Sequence, residues 1–378
     1  MIELKGNATI AVVMTDSLDS ETQSQIITFI NQDVFKGCKI VIMPDCHKGA
    51  GAVIGFTMPI KDFVIPNIVG VDIGCGIEAY KLGKLDVDFK AFDNYIREII
   101  PCGRDIRKTK VEIKDEIKDG DFVSKLSSEI KTVGAEPKRV WHSIGTLGGG
   151  NHFIEIDVDD ESNKWLVIHT GSRNFGKMVA EYYQRLAKEY ISSHGIKGVI
   201  KGLEYLSVDS RDGTNYLEAM NLAQRYAEFN REVISKVLLE YFKLQPTEII
   251  KSVHNYINFK DKIIRKGAIS ADKDQKLIIP FNMKDGTMVG VGKGNRDWNN
   301  SAPHGAGRRL SRTQAKAKLN VEDFKKQMKG VWTSCIGKHT LDEAPDAYKP
   351  MNEVLKNIHE TVDVGLIMKP VYNFKAKE

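Results

Sequence analysis

Two glycine-rich bends in the stretch 44–76 gather residue types that bind metals. The first reads Pro44-Asp45-Cys46-His47-Lys48-Gly49-Ala50-Gly51, and the second Val69-Gly70-Val71-Asp72-Ile73-Gly74-Cys75-Gly76. Carboxylate oxygen and thiolate sulfur are both ligands, and one thiolate can bridge two ions. Asp72 and Cys75 are therefore candidate ligands. Taken alone, the second bend is more simply a turn that carries an Asx-type aspartate and a structural cysteine. The chain also has nine histidines. Four of them, His152, His169, His254 and His304, stand at the ends of apolar runs or in glycine-rich loops. One such histidine reads as a structural residue. The group together with Asp72 and Cys75 makes a set able to supply two metals through a shared thiolate. The softness of Cys, His and Asp donors points to zinc.

His304 is set among small residues, Ser301-Ala302-Pro303-His304-Gly305-Ala306-Gly307, so a large group can reach its ring. It has no acid nearby in sequence, and arginines follow at 308, 309 and 312, of which 308 and 312 would share a face on a helix. A neutral imidazole is a nucleophile toward phosphorus, and arginines and metal ions stabilise the charge of a transferring phosphoryl group. Phosphoryl or nucleotidyl transfer is the chemistry these residues suit. No Gly-x-x-x-x-Gly-Lys-[Ser/Thr] loop and no Lys-x-Asp-Gly motif occurs, so a covalent nucleotide would fall to His304.

The elements that must position these groups are legible as short runs. Strands are expected at 9–13, 39–43, 53–58, 67–71 and 165–168, with a pair at 276–280 and 287–291. Helices are expected near 21–31, 89–100, 177–193, 216–242, 321–328 and from about 351. The stripe Met178, Tyr182, Leu186 and Tyr190 and its counterpart in 216–242 read as core packing. The stretch 104–125 has mixed charges and reads as solvated surface, and Arg265-Lys266-Gly267 reads as a basic turn. With 378 residues, 42% hydrophobic and 28% charged, the chain has the composition of a globular protein. We expect a single α+β domain over 1–378, with mixed sheets flanked by helices and a central metal site. No apolar run is long enough for a membrane span, and the first residues lack a secretory pattern. Five scattered cysteines suit a reducing compartment, so a cytoplasmic location is expected. The net charge of +5 permits a polyanionic partner without demanding one.

Eight motifs, in order, resemble those of the RtcB family of RNA-splicing ligases: Pro44-Asp45-x-His47-x-Gly49-x-Gly51; Gly70-Val-Asp72-Ile-Gly-Cys75-Gly76; Gly145-Thr-Leu-Gly-x-Gly-Asn151-His152-Phe-x-Glu155; His169-Thr-Gly-Ser-Arg173; His254-Asn255; Arg265-Lys-Gly-Ala268; His304-Gly-Ala-Gly-Arg308 with Ser311-Arg312; and Asp342-Glu-Ala-Pro-x-Ala-Tyr348-Lys349. The resemblance implies an RtcB-type fold and a GTP-using, manganese-dependent ligase. Its substrate would be RNA with a 2′,3′-cyclic phosphate or 3′-phosphate end and a 5′-hydroxyl end.

By the same resemblance, His304 takes GMP from GTP and passes it to the RNA 3′-phosphate, and the 5′-hydroxyl then attacks that end. Cys75 would bridge two manganese ions, with Asp72 and His152 on one and His169 and His254 on the other. The family's manganese thus displaces the zinc that softness suggests. Asn151, Glu155, Asn282, Met283, Thr287, Gly305, Ala306, Gly307, Tyr348 and Lys375 fall where the family meets the nucleotide. Arg173, Arg308 and Arg312 fall where it holds RNA phosphates. An archease-like activator is a further expected partner; neither the RNA nor the oligomeric state is specified. The chain departs from the family at Phe281-Asn282-Met283-Lys284, where a Gly-Ser-Met-Gly turn is usual, and at Thr287, where serine is usual. The competing readings are a metal-dependent phosphoesterase or cyclic phosphodiesterase, and a non-catalytic paralogue that binds damaged RNA. Neither of these requires His304 or GTP.

Overall fold

Continuous and alternating apolar runs fold into two sheets whose strand ends meet at the glycine-rich bends. The computed structural model describes residues 1–111 and 120–376. Of the mixed-charge stretch 104–125, residues 112–119 lie outside the described residues. The first sheet has six strands in the order Ile2–Lys5, Ile10–Val13, Ile40–His47, Ile54–Pro59, Ile263–Lys266 and Asn255–Asn258. Only Ile10–Val13 and Ile40–His47 run parallel; the other neighbours are antiparallel. Seven strands, all antiparallel to their neighbours, form the second: Glu248–Val253, Gly76–Gly83, Lys164–Thr170, Phe153–Val158, Val362–Lys375, Gly286–Gly292 and Lys276–Asn282. It curls until its outer strands face each other, where Ile278 N–H donates to Ser252 Oγ at 3.0 Å. Ile77, Phe153, Trp165, Val167, Ile250 and Met368 fill the inside of the curl. Ile154, Ile156, Leu166 and Ile168 point the other way, as strand alternation requires, onto Phe92, Ile96 and Leu238 of flanking helices.

The helix Arg211–Phe242 opens on Ser210, whose Oγ accepts from Gly213 N–H at 3.0 Å, and ends at Lys243 in the left-handed conformation. Tyr216, Met220, Ala223 and Tyr226 bury its inner stripe in the largest core, beneath the first sheet. The helix foreseen at 177–193 begins earlier, at Arg173–Ser193. Its fully buried face is Phe175, Val179, Tyr183 and Ala187, while Met178, Tyr182, Leu186 and Tyr190 pack half-buried on the flank. Among the described residues, no helix is long and apolar enough to cross a membrane.

Three local expectations are corrected. Residues 67–71 are no strand: Pro66–Val69 is one helical turn, with proline at its first position, closed by Gly70 at φ 91°. A short apolar run does not distinguish strand from helix, and a proline at N1 settles it. The supposed basic turn is the buried strand Ile263–Lys266, with only Gly267 turning. Arg265 is buried there because Asp261 (2.8 Å), Ser301 (2.8 Å) and the carbonyls of Asn299 and Asn300 consume its donors. Arg308 and Arg312 do not share a helix, because Ser311 caps a helix that begins at Arg312.

The two halves of the core are joined by Arg231, buried with Glu78. Arg231 Nε donates to Glu78 Oε1 at 3.0 Å, and Nη1 donates to the carbonyls of Gly74 (2.8 Å) and Thr170 (3.0 Å). Arg231→Ala leaves Glu78 buried without its chief partner and should destabilise the protein by about 3–5 kcal/mol. The urea midpoint should fall with little change in slope. The double change Arg231→Met with Glu78→Met should cost less than Arg231→Ala alone. Equal stability of Arg231→Ala and the parent would contradict this role.

Candidate active site

Antiparallel pairing explains why residues far apart in sequence share one rim. Gly76 is aligned with both Thr170 and Val253, and Phe153 with His169. The starts of two strands and the ends of two others therefore lie together. The bend before Gly76 brings Asp72 and Cys75, the residue before Phe153 brings His152, and the ends bring His169 and His254. Cys75 Sγ is 3.5 Å from His152 Nε2 and 3.2 Å from His169 Nε2. Asp72 Oδ2 is 2.9 Å from His152 Nε2, and the Nε2 atoms of His169 and His254 are 3.3 Å apart. Asp72 Oδ1 accepts from Ser172 N–H at 3.1 Å, and a Cβ at Gly171 would stand 2.1 Å from that oxygen, so only glycine fits.

The hydrogen bonds on the far side of the rings fix what they present. His152 Nδ1 lies 2.9 Å from the Leu147 carbonyl and His169 Nδ1 lies 3.1 Å from that of Asn151. A carbonyl only accepts, so Nδ1 carries the proton and Nε2 turns a lone pair toward Cys75. Burial pushes His169 and His254 well below the usual imidazole range, with neighbouring histidines adding to it, which keeps both in the ligating form. Burial and the Asp72 charge push the Cys75 thiol well above its usual value, an effect that a bound cation reverses. The ligand atoms of Cys75, His152 and His169 all lie within 4.8 Å of one another. With Asp72 and His254 they form a donor set that fits a divalent cation.

His304 stands beside this cluster, its ring centroid 4.9 Å from that of His254. Sequence proximity offered it no acid, yet Asp45 Oδ2 accepts from its Nδ1 at 2.7 Å across 259 positions. The neutral ring therefore presents the Nε2 lone pair to the open side. Asp45 is wholly buried in the strand Ile40–His47. The carbonyls on either side of it, Pro44 and Cys46, accept from Lys349 Nζ at 3.2 and 3.1 Å. Gly307, at φ +73°, crosses so close that a Cβ would lie 2.1 Å from the Asp45 carbonyl oxygen. The only hint of Asp45 in the sequence was its place in the first glycine-rich bend.

A cavity of about 710 Å³ opens between these groups. Asp72, Cys75, His169, His254 and His304 line one side; His152 does not line it. Gly305, Ala306 and Gly307 continue the wall past the histidine, and Phe281, Asn282 and Met283 bring the departing turn to the same space. Asn151, Glu155, Tyr348 and Lys375 line another end, which Asn151 joins to the histidine cluster through its carbonyl, 3.1 Å from His169 Nδ1. Glu343, not foreseen as a site residue, organises that end. It accepts from Tyr348 Oη at 2.6 Å and Lys375 Nζ at 2.9 Å, and pairs with Arg308. Burial raises its carboxyl, but Lys375 and Arg308 bring it down to about 2. Arg308 and Arg312 also line the cavity, Arg312 at 3.2 Å from Asp342.

Besides His152, two expected residues do not line the cavity. Thr287 is fully buried on Gly286–Gly292, opposite Pro280 and Met368. Arg173 donates to Thr146 Oγ1 (3.2 Å) and the Gly103 carbonyl (3.1 Å), its guanidinium lying against Gly148.

The family described as "tRNA-splicing ligase RtcB" matches residues 32–376. The RNA-splicing ligase RtcB of Escherichia coli K12 is 30% identical, with 95% of both chains covered. The tRNA-splicing ligase RtcB of Nanoarchaeum equitans is 30% identical over 85% of this chain and 84% of its own. That of Aeropyrum pernix is 27% identical over 88% and 86%. Matched along nearly its whole length, the chain belongs to the RtcB family.

Proposed function

We propose that this protein is an RNA ligase that uses GTP and manganese to join a 2′,3′-cyclic phosphate or 3′-phosphate end to a 5′-hydroxyl end. The observation that carries the reading is the Asp45–His304 pair beside a donor set suited to cations. Asp45 holds the proton on Nδ1, so Nε2 is free to attack the α-phosphorus of GTP. The bond to the β-phosphate oxygen breaks, pyrophosphate leaves, and a guanylyl-histidine forms. Asp45 offsets the positive charge that the ring acquires. A cyclic end is first opened by water, which breaks the bond to the 2′-oxygen; an oxygen of the resulting RNA 3′-phosphate then attacks the same phosphorus and breaks the P–N bond. Finally the 5′-hydroxyl attacks the activated 3′-phosphate and GMP departs.

Asp72, Cys75, His152, His169 and His254 would hold two manganese ions, which would neutralise phosphate charge. Glu155, Tyr348, Lys375 and Asn151 would take the base end of the nucleotide. Arg308 and Arg312 would take RNA phosphates. The same role for Arg173 rests on the family resemblance, since its guanidinium is engaged with Thr146 and Gly103. The homologues' names carry tRNA splicing as the biological setting, and a cytoplasmic location and an archease-like activator go with the family reading.

Incubation with α-labelled GTP and manganese should give an acid-labile, alkali-stable protein adduct on a denaturing gel. His304→Ala should abolish it. Asp45→Asn no longer directs the proton to Nδ1 and should slow labelling about a hundredfold or more. Persistent labelling of His304→Ala would remove the nucleophile, and turnover of a cyclic-phosphate RNA by that variant without GTP would favour the phosphodiesterase reading.

Manganese binding is separable from activity. Titration followed by electron paramagnetic resonance should count two ions per chain, and Cys75→Ala should leave at most one tightly held. Two ions retained at parental affinity would deny the bridging role.

A further inference from the structure

The strand Phe153–Val158 turns Phe153, Glu155 and Asp157 to the inside of the curled sheet, since Ile154 and Ile156 pack on the outer core. Two carboxyl groups are thus neighbours in a buried place. Glu155 is 3% exposed and Asp157 wholly buried. Glu155 opens on the cavity and accepts from Asn373 Nδ2 at 2.5 Å. Asp157 lies off the cavity, and neither of its oxygens has a hydrogen-bond donor among the described residues. The Thr287 hydroxyl lies beside it, close enough to oppose the rise of the Asp157 carboxyl but not in hydrogen-bonding geometry.

The charged groups facing this pair are already engaged. Lys375 is bound to Glu343 at 2.9 Å. Lys81, on the inner side of Gly76–Gly83, lies 3.9 Å from Asp159 and over the Trp165 ring. The residues aligned with Asp157 on its two neighbouring strands are Trp165 and Pro370, which bring no charge. Two ionised carboxylates cannot sit together under these conditions, whereas a pair sharing one proton can.

We propose that Asp157 is a positioning residue that keeps its proton at neutral pH and donates it in a hydrogen bond to Glu155, fixing Glu155 as an oriented carboxylate at the base end of the nucleotide pocket. The proposal rests on the GTP reading, since the nucleotide is what Glu155 would meet. Burial, and then the adjacent Glu155, push the Asp157 carboxyl well above the usual range. Burial raises Glu155 as well, opposed by its hydrogen bonds with Asp157 and Asn373 and by the charge of Lys375. The pair carries one proton and one negative charge. With Asp157 and Asn373 donating from within, Glu155 retains lone pairs for two N–H groups of a base. Guanine offers N1–H and its 2-amino group along one edge. Adenine presents the unprotonated N1 there and would meet the carboxylate lone pair to lone pair. Asp157 therefore acts on base selection without touching the base.

The test begins with nucleotide-free protein. Infrared difference spectroscopy of wild type against Asp157→Asn should reveal a protonated carboxyl band that shifts in deuterium oxide and persists at pH 7, far above the ordinary aspartate value of about 3.9. Binding of a fluorescent GTP analogue, competed with GTP and with ATP, supplies the second readout. Asp157→Leu has no donor and should weaken GTP about tenfold while narrowing its advantage over ATP. Asp157→Asn, whose amide donates in place of the hydroxyl, should restore most of both. Absence of the band in wild type would overturn the proposal, as would Asp157→Asn losing GTP as severely as Asp157→Leu. If Asp157→Leu fails to fold, the band and the Asp157→Asn binding still decide. A wild type that shows the band but binds no guanine nucleotide would retain the shared proton and refute the GTP reading.

Discussion

Asp72 Oδ2, Cys75 Sγ and the Nε2 atoms of three histidines converge with too few hydrogens to separate them. The carbonyls of Leu147 and Asn151 draw the ring protons of His152 and His169 to the far side. Burial opposes charging the rings of His169 and His254. Lone pairs packed this closely repel unless positive charge lies among them, and the scaffold around them fixes where each donor stands. Arg231 ties the Gly74 and Thr170 carbonyls to the long helix. The residue just before it, Asn230, accepts from Gly145 and Thr146 N–H through Oδ1 and donates to the Gly171 carbonyl through Nδ2. Two adjacent buried side chains of one helix thus hold three loops that carry or flank the ligands.

The same division between scaffold and reacting group recurs at His304 and at the Glu343 end of the cavity. Asp45 is pinned by its strand, by the close passage of Gly307 and by Lys349 bonding to both adjacent carbonyls, so the proton on His304 has a fixed place. At the Glu343 end, Arg308, Arg312, Lys316 and Lys375 share the two carboxylates of Asp342 and Glu343. The cations are held in position while positive charge remains in excess, an arrangement suited to phosphate. The net charge of the whole chain, +5, is modest; its placement matters more.

Much of this was legible in the sequence because chemistry was written at the ends of apolar runs. The expected strand at 39–43 overlaps Ile40–His47, that at 165–168 falls within Lys164–Thr170, and the foreseen pair near 276–280 and 287–291 forms. What sequence could not supply was partnership across distance. Asp45 and His304 are joined by folding alone, as are Glu343 and Lys375. Charge also misled where it was internal: Arg265 and Lys266 looked like a surface turn, yet one is saturated by hydrogen bonds and the other donates to the Ala50 carbonyl. Pro66 was the overlooked signal that turned an expected strand into a helical turn.

Locally unfavourable features cluster where function is proposed. Among the described residues, buried polar atoms without partners include Asp45 Oδ1, Ser172 Oγ, His254 Nδ1 and Asn373 Oδ1, in or beside the site segments, with Tyr216 Oη and Gln327 Oε1 away from them. Evolution rarely leaves such groups in a core, because each costs free energy that apolar packing would not. Where they flank the site, the surrounding sheets and the long helix stabilise an interior that would not form from its own contacts. The consequence is asymmetric. Substitutions in the apolar shell should act mainly through stability, whereas those at the unpartnered polar atoms remove a penalty along with a function and can leave the fold intact or firmer. That asymmetry separates the residues that build this site from those that use it.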